Sequence, residues 1–166
     1  STWAEYGDQQ ALDDWGQLYD FIQNNEMSNP QNFKFVSEQY DYESLVDYVI
    51  VNSFTVCSDW LNWNTGWWRG FNPEGGHQKW GYILWDNDAT FAHYINYTGI
   101  PDVSPYADPC NPEQLAGWQD PEGHIQVLNK LRENPVFDQY YITRQVDLWN
   151  TVFGCENMLS YLDSII

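Results

Sequence analysis

The sequence predicts an α+β fold, mainly helical, with one small β-hairpin. Apolar residues recur at three- and four-residue spacing in four separate stretches. Two short aromatic-rich runs flank a single Pro- and Gly-containing turn. No Pro/Gly/Ser linker and no internal repeat divides the 166 residues. That length suits one core, for which roughly 100 to 200 residues is usual, so residues 1–166 read as a single domain.

The first helix is expected over residues 10–24. Leu12, Trp15, Leu18, Tyr19 and Ile22 fall on one face, and Asp13 and Asp14 sit in the first turn, where the macrodipole favours negative charge. Residues 24–30 read as a breaker, and Lys34, in Asn32-Phe33-Lys34-Phe35, as part of a connector between helices. Asp41 stands ready to cap a second helix over residues 42–54. Leu45, Val46, Tyr48, Val49 and Val51 make that helix apolar almost all round, the pattern of a helix buried on most sides.

Residues 57–64 form a polar and aromatic loop. Residues 65–71 and 79–85 read as two strands of a hairpin through residues 72–78, and the second strand runs straight into Asp86-Asn87-Asp88. Residues 96–119, rich in Pro, Asp and Gly, read as a long irregular loop, a kind of segment that is usually functional when it occurs inside one domain. Two helices close the chain: residues 124–132, with Ile125, Leu128 and Leu131, and residues 137–153, with Tyr141, Val146, Leu148 and Trp149. A last apolar turn lies around Met158, Leu159 and Leu162.

Twenty-four Asp and Glu against six Lys and Arg leave a formal net charge of -18. A field of that sign repels phosphate backbones and attracts divalent cations, which excludes nucleic acid as a direct partner. Ten Trp, 12 Tyr and 8 Phe spread along the chain exclude disorder. No run approaches the roughly 18 apolar residues of a membrane span, and Ser1-Thr2-Trp3-Ala4-Glu5 has neither part of a signal peptide. The missing initiator Met and the apolar end Ser164-Ile165-Ile166 suggest a piece of a longer protein or a processed form. Cys57, Cys110 and Cys155 share no metal-ligand spacing, which argues against zinc, and they allow three different single bridges with one thiol left over. The acidic, Asn- and Trp-rich composition leans towards an extracellular setting, and Asn96-Tyr97-Thr98 is a glycosylation sequon.

The order of parts is informative: buried helix, acidic-amide loop, hairpin, acidic triplet. In phosphoryl transfer an Asp on a loop accepts the substrate hydroxyl proton, an Asn five residues on holds a metal, and a further Asp past a hairpin holds the metals bridging the phosphates. Asp59 and Asn64 have that spacing, and Asp86 follows the hairpin. The chemistry needs oxygen donors there, because the transferred group is densely negative and catalysis is mainly positioning and charge neutralisation. Each residue alone has a structural reading: Asp59 as a cap or turn residue, Asn64 as a turn opener, Asp86 and Asp88 as caps of a short helix near Ala89.

These parts resemble the spore coat protein H (CotH) kinase-like family. Tyr42-Glu43-Ser44-Leu45-Val46-Asp47-Tyr48 is similar to its buried helix, Asp59-Trp60 followed by Asn64 to its catalytic loop, and Trp80 through Trp85-Asp86-Asn87-Asp88 to Phe91 to its W-D-x-D metal segment. The resemblance implies an atypical protein-kinase-like C-terminal lobe, with ATP and Mg2+ or Mn2+ as cofactors. It also implies a secreted or cell-surface protein that phosphorylates Ser or Thr of extracellular or coat proteins and belongs to a larger assembly there. By motif match, Asp59 is the proton-accepting catalytic residue, Asn64 a metal or phosphate ligand, Asp86 the principal metal ligand, and Asp88 a weaker metal or outlying candidate. Two departures from ordinary kinases stand out: Cys57-Ser58 replaces His-Arg before the catalytic Asp, and Asn87-Asp88 replaces Phe-Gly. Nothing before Asp41 reads as a Gly-rich strand-turn-strand, so the nucleotide-clamping lobe is expected to be missing from this chain, and the 166 residues alone to transfer phosphate poorly or not at all.

Two other readings compete. Trp60, Trp63, Trp67, Trp68, Trp80 and Trp85 could stack sugars as a carbohydrate-binding or adhesion module, and a non-catalytic surface scaffold could keep the lobe without turnover. His77, His93 and His124 have no partner at a ligand spacing and read as structural, and no Ser or Cys has the setting of a nucleophile.

Overall fold

The computed structural model describes residues 2–91 and 111–166. Among these the order is α1 (Asp8–Asn24), α2 (Pro30–Gln39), α3 (Tyr42–Phe54), β1 (Gly66–Trp68), β2 (Gly81–Ile83), α4 (His124–Leu131), α5 (Pro135–Asn150) and α6 (Cys155–Ile165). Single 3-10 turns occupy Asn87–Ala89, Pro112–Gln114 and Gly117–Gln119. The architecture is mainly helical with one two-stranded antiparallel sheet, as the α+β expectation has it. No helix among the described residues is long and apolar enough to cross a membrane.

α3 is the central element. Asp41 accepts from the Ser44 N–H at 3.2 Å and so caps its first turn, and Leu45, Val46, Tyr48, Val49, Ile50 and Asn52 are all buried. The apolar ones share one core with Trp15, Leu18 and Ile22 of α1, Val36 of α2, Ile125, Val127, Leu128 and Leu131 of α4, and Phe137, Tyr141 and Leu148 of α5. A paired Arg144–Asp47 contact, at 2.7 and 2.9 Å, ties α5 to α3, and an Arg69–Asp14 ion pair ties the hairpin to α1.

α2 corrects the expected connector and carries Lys34 on a helix. Asn29 accepts from the Gln31 N–H at 2.9 Å, and Pro30 fills the first helical position, where its missing N–H costs nothing. The same pair opens α5: Asn134 accepts from Val136 and Phe137 at 3.0 and 3.3 Å, and Pro135 stands first. α5 therefore begins before residue 137 and ends at Asn150, short of residue 153. α1 begins at Asp8 rather than residue 10, and α6 is an 11-residue helix where the sequence predicts one apolar turn.

The hairpin is real but shorter than its aromatic runs. Trp67 pairs with Tyr82, flanked by Gly66 with Ile83 and Trp68 with Gly81. Before Gly81 the chain turns to a different neighbour: Trp80 accepts from the Asp41 N–H at 2.8 Å and donates to the Gln39 carbonyl at 2.9 Å. Those two bonds hold the hairpin against the link between α2 and α3, and the Tyr82 N–H adds a third contact, donating to Ser44 Oγ at 2.7 Å.

Beneath the sheet runs a buried polar chain. Tyr40 and Tyr82 share a hydroxyl–hydroxyl bond of 2.8 Å, and Tyr82 Oη lies 2.7 Å from His124 Nδ1. Burial holds the His124 imidazole down to about 3, so it is neutral and structural, as the sequence implies. Asp120 accepts from the N–H groups of His124 and Ile125 at 2.8 and 2.9 Å and opens α4. Gly123, at φ 75°, lets the chain enter that helix where a Cβ would collide with the Tyr19 ring. Cys57 is a buried free thiol and Cys155 an exposed one, so neither enters the single bridge that three cysteines allow. His93, the Asn96 sequon, Cys110 and most of the expected long loop lie outside the described residues.

Candidate active site

The loop after α3 is built to hold Asp59. The helix ends at Phe54, Val56 takes a left-handed turn at φ 49°, and the Cys57 N–H returns to the Asn52 carbonyl at 2.9 Å. Buried Trp60 and Leu61 then anchor the loop in the core, with the Trp60 ring 5.6 Å from Tyr48. Asp59 is half-buried, and both its oxygens are engaged inside the loop. Oδ2 accepts from Asn64 Nδ2 at 3.1 Å, and Oδ1 from the Cys57 thiol at 3.6 Å. Burial pushes that thiol up to about 11, so it stays protonated and remains a donor. Asn64 is fixed at its backbone too: its N–H donates to the Asp59 carbonyl at 3.2 Å, and its carbonyl accepts from Tyr48 Oη at 3.2 Å.

The segment after the hairpin is laced to this loop along its length. Trp85 Nε1 donates to the Asn64 carbonyl at 3.1 Å, and Asn87 Nδ2 to Asn52 Oδ1 at 3.1 Å. The Ser58 N–H and hydroxyl both reach the Ala89 carbonyl, at 3.0 and 3.3 Å, and the Phe91 N–H reaches the Thr55 carbonyl at 2.6 Å. Asp86 thus sits between two tethered neighbours, exposed, in a left-handed conformation of φ 52° and ψ 48° that Asp adopts more readily than most residues.

The structure brings Asp59 and Asn64 into direct contact and binds the segment carrying Asp86 to them. It does not use Asp86 as a cap: the Asn87–Ala89 turn receives no side-chain hydrogen bond from it. Nor is Asp86 rooted on a strand, since β2 ends at Ile83 and tethering through Trp85 and Asn87 takes the strand's place. Asp88 lies exposed on the same turn, whose Ala89 is buried.

The supporting hydrogen bonds of Asn52, Cys57 and Trp85 escape sequence reasoning. Asn52 is the one with a signal, an amide inside an otherwise apolar helix that has to satisfy its polar atoms when buried. It does so by donating to the Tyr48 carbonyl at 2.8 Å and accepting from Asn87.

Among the described residues no three His, Cys, Asp or Glu side chains gather into a metal-holding group. The oxygens that the two segments present, the carboxylates of Asp86 and Asp88 and the amide of Asn64, are hard donors. Magnesium suits such a set, because it is usually held by one or two carboxylates together with phosphates and water. Of the six tryptophans, Trp63, Trp68 and Trp85 are exposed and the other three are packed inward to differing degrees. Trp60 and Trp80 are core residues, Trp67 packs 5.5 Å from Trp15 and 4.6 Å from His124, and Trp68 stacks on His77 at 3.9 Å.

A family model described as "CotH kinase protein" matches residues 2–166. No curated protein and no solved structure matches the chain.

Proposed function

The chain belongs to the CotH kinase protein family, and on that premise we propose that it serves an atypical protein kinase that transfers the γ-phosphoryl group of ATP to Ser or Thr of a protein substrate. The observation that carries the reading is the lacing of the Asp86 segment to the loop of Asp59 and Asn64 through Trp85 and Ala89, and to the end of α3 through Asn87. One acidic residue per segment is what the reaction needs: one to take a proton, one to hold a cation.

In this reading Asp59 accepts the proton of the attacking hydroxyl. A carboxylate has about four acceptor sites, so the bonds from Asn64 and Cys57 orient it and still leave room for the substrate. Asp86, with Asn64 and Asp88, would hold the divalent ions. Bound Mg2+ or Mn2+ neutralises charge that builds on the transferred group. Five of the six side-chain cations, Lys34, Arg69, Lys130, Arg132 and Arg144, are already paired with carboxylates, and Lys79 is exposed on the hairpin.

We read residues 1–166 as one domain built like the C-terminal lobe of a protein kinase. Residues 8–39 hold two helices, α1 and α2, rather than a glycine-rich strand pair. The acidic, Asn- and Trp-rich composition supports a secreted or cell-surface setting and a place in a larger assembly there. Calorimetric titration of ATP into the full-length protein tests the site. Binding that needs Mg2+ and disappears in Asp86→Ala is expected; ATP binding indifferent to both would contradict the assignment.

A further inference from the structure

We infer that Trp85 is a positioning residue for the metal site, and that it acts through one hydrogen bond, from its indole N–H to the Asn64 carbonyl. The inference rests on the kinase reading above and adds to it what sets the spacing between the two proposed metal-holding residues, Asn64 and Asp86.

Trp85 is 55% exposed, so burial does not account for where the ring lies. Its indole lies over Gly66, where a Cβ would stand 3.7 Å from Nε1, and its N–H ends 3.1 Å from the Asn64 carbonyl. That carbonyl is a junction. Tyr48 reaches it from the core helix α3, the proton-accepting loop contains it, and Trp85 reaches it from the segment that carries Asp86.

Asp86 follows Trp85 directly and precedes Asn87, whose amide is bound to Asn52. One left-handed residue is therefore held between two clamps. The Asn87 clamp joins it to the end of α3, and the Trp85 clamp joins it to Asn64. A cation shared between Asp86 and Asn64 requires their separation to be fixed before it arrives, and partners one step out from the metal typically govern affinity by 10- to 100-fold. Releasing the Trp85 clamp leaves Asp86 attached on one side and free to pivot at its own φ and ψ.

The test is Mn2+ titration of the full-length protein followed by electron paramagnetic resonance. The site is defined as the Mn2+ signal that Asp86→Ala removes. Trp85→Phe keeps an aromatic ring and deletes the N–H. It is expected to weaken that site by roughly tenfold or more and to broaden its spectrum, with the thermal transition unchanged. An unaltered Mn2+ site in Trp85→Phe would overturn the inference and leave the kinase reading standing. Loss of the cooperative thermal transition would show a core role and overturn it as well. A wild-type protein with no Asp86-dependent Mn2+ signal would remove both.

Discussion

Asn64 and Asp59 bond to each other twice: the Asn64 amide donates to Oδ2 of Asp59 at 3.1 Å, and the Asn64 N–H donates to the Asp59 carbonyl at 3.2 Å. The loop between them is closed at backbone and side chain together. Each of the two residues thus restrains the other within the loop. Preorganisation of this kind lowers the cost of aligning a hydroxyl with a phosphoryl group.

Substitutions in that pair should separate by role. Asp59→Asn keeps the side chain's size and one of its two acceptors and removes the proposed proton acceptor, so transfer should drop on the order of 10²- to 10⁴-fold with little change in metal affinity. Asn64→Ala removes the oxygen proposed to hold the metal and frees Asp59, so both the Mg2+ requirement and the turnover should worsen. Steady-state kinetics against Mg2+ and ATP distinguish the two; identical defects would contradict separate roles.

The cysteines should differ in reactivity. Cys57 is buried, and its thiol is pushed up to about 11, whereas Cys155 is exposed at the start of α6. Alkylation of the native protein near pH 8 should label Cys155 and spare Cys57 until the protein is unfolded. Mass spectrometry of the peptides reads this directly, and equal labelling of the two would contradict the packing around Asp59.

His124 should make the fold acid-sensitive in a defined window. The native imidazole resists protonation down to about 3 because it is desolvated, whereas a free one takes a proton near 6.5. The unfolded chain therefore binds more protons between those values, and stability falls as pH drops through that range, by at most about 1.4 kcal/mol per unit. The Asp120 carboxyl, pushed up by burial, works in the opposite sense at lower pH. Between about pH 7 and pH 5 the melting temperature should decline, and His124→Gln should flatten the decline. An unchanged slope in that variant would contradict a neutral buried His124.

Asn134 joins two elements at once. It caps α5 and donates to the Met27 carbonyl at 3.1 Å, in the turn between α1 and α2. Asn134→Ala should cost about 2 to 4 kcal/mol, combining a lost cap with a buried carbonyl left unpaired. Asn134→Asp keeps the cap acceptors but not the donor, and should recover only part. Urea denaturation gives the values, and a cost below about 0.5 kcal/mol would show that the turn rearranges freely.

What could be read in the sequence follows the range of the interactions. α3 is legible to its ends, because Asp41 caps it locally and its apolar residues run to Phe54. α2 is not, because Asn29-Pro30 signals a break and a helix start alike, and only the following turn decides between them. α6 shows its apolar face but not its length, since none of its residues is buried to mark it. Within the site, the Asp59–Asn64 pairing is legible as a five-residue spacing inside one loop. The Trp85–Asn64 and Asn87–Asn52 clamps span 21 and 35 residues, and no local pattern announces them.

In the proposed function, phosphoryl transfer depends on the Asp59 and Asp86 segments acting together. Its most direct test is transfer of labelled γ-phosphate from ATP to protein by the full-length protein, with and without Mg2+, beside Asp59→Ala and Asp86→Ala. Mg2+-dependent labelling lost in both variants is the predicted result. Labelling that persists with Asp86 removed, or no labelling by a folded wild-type protein that binds no ATP, would contradict it.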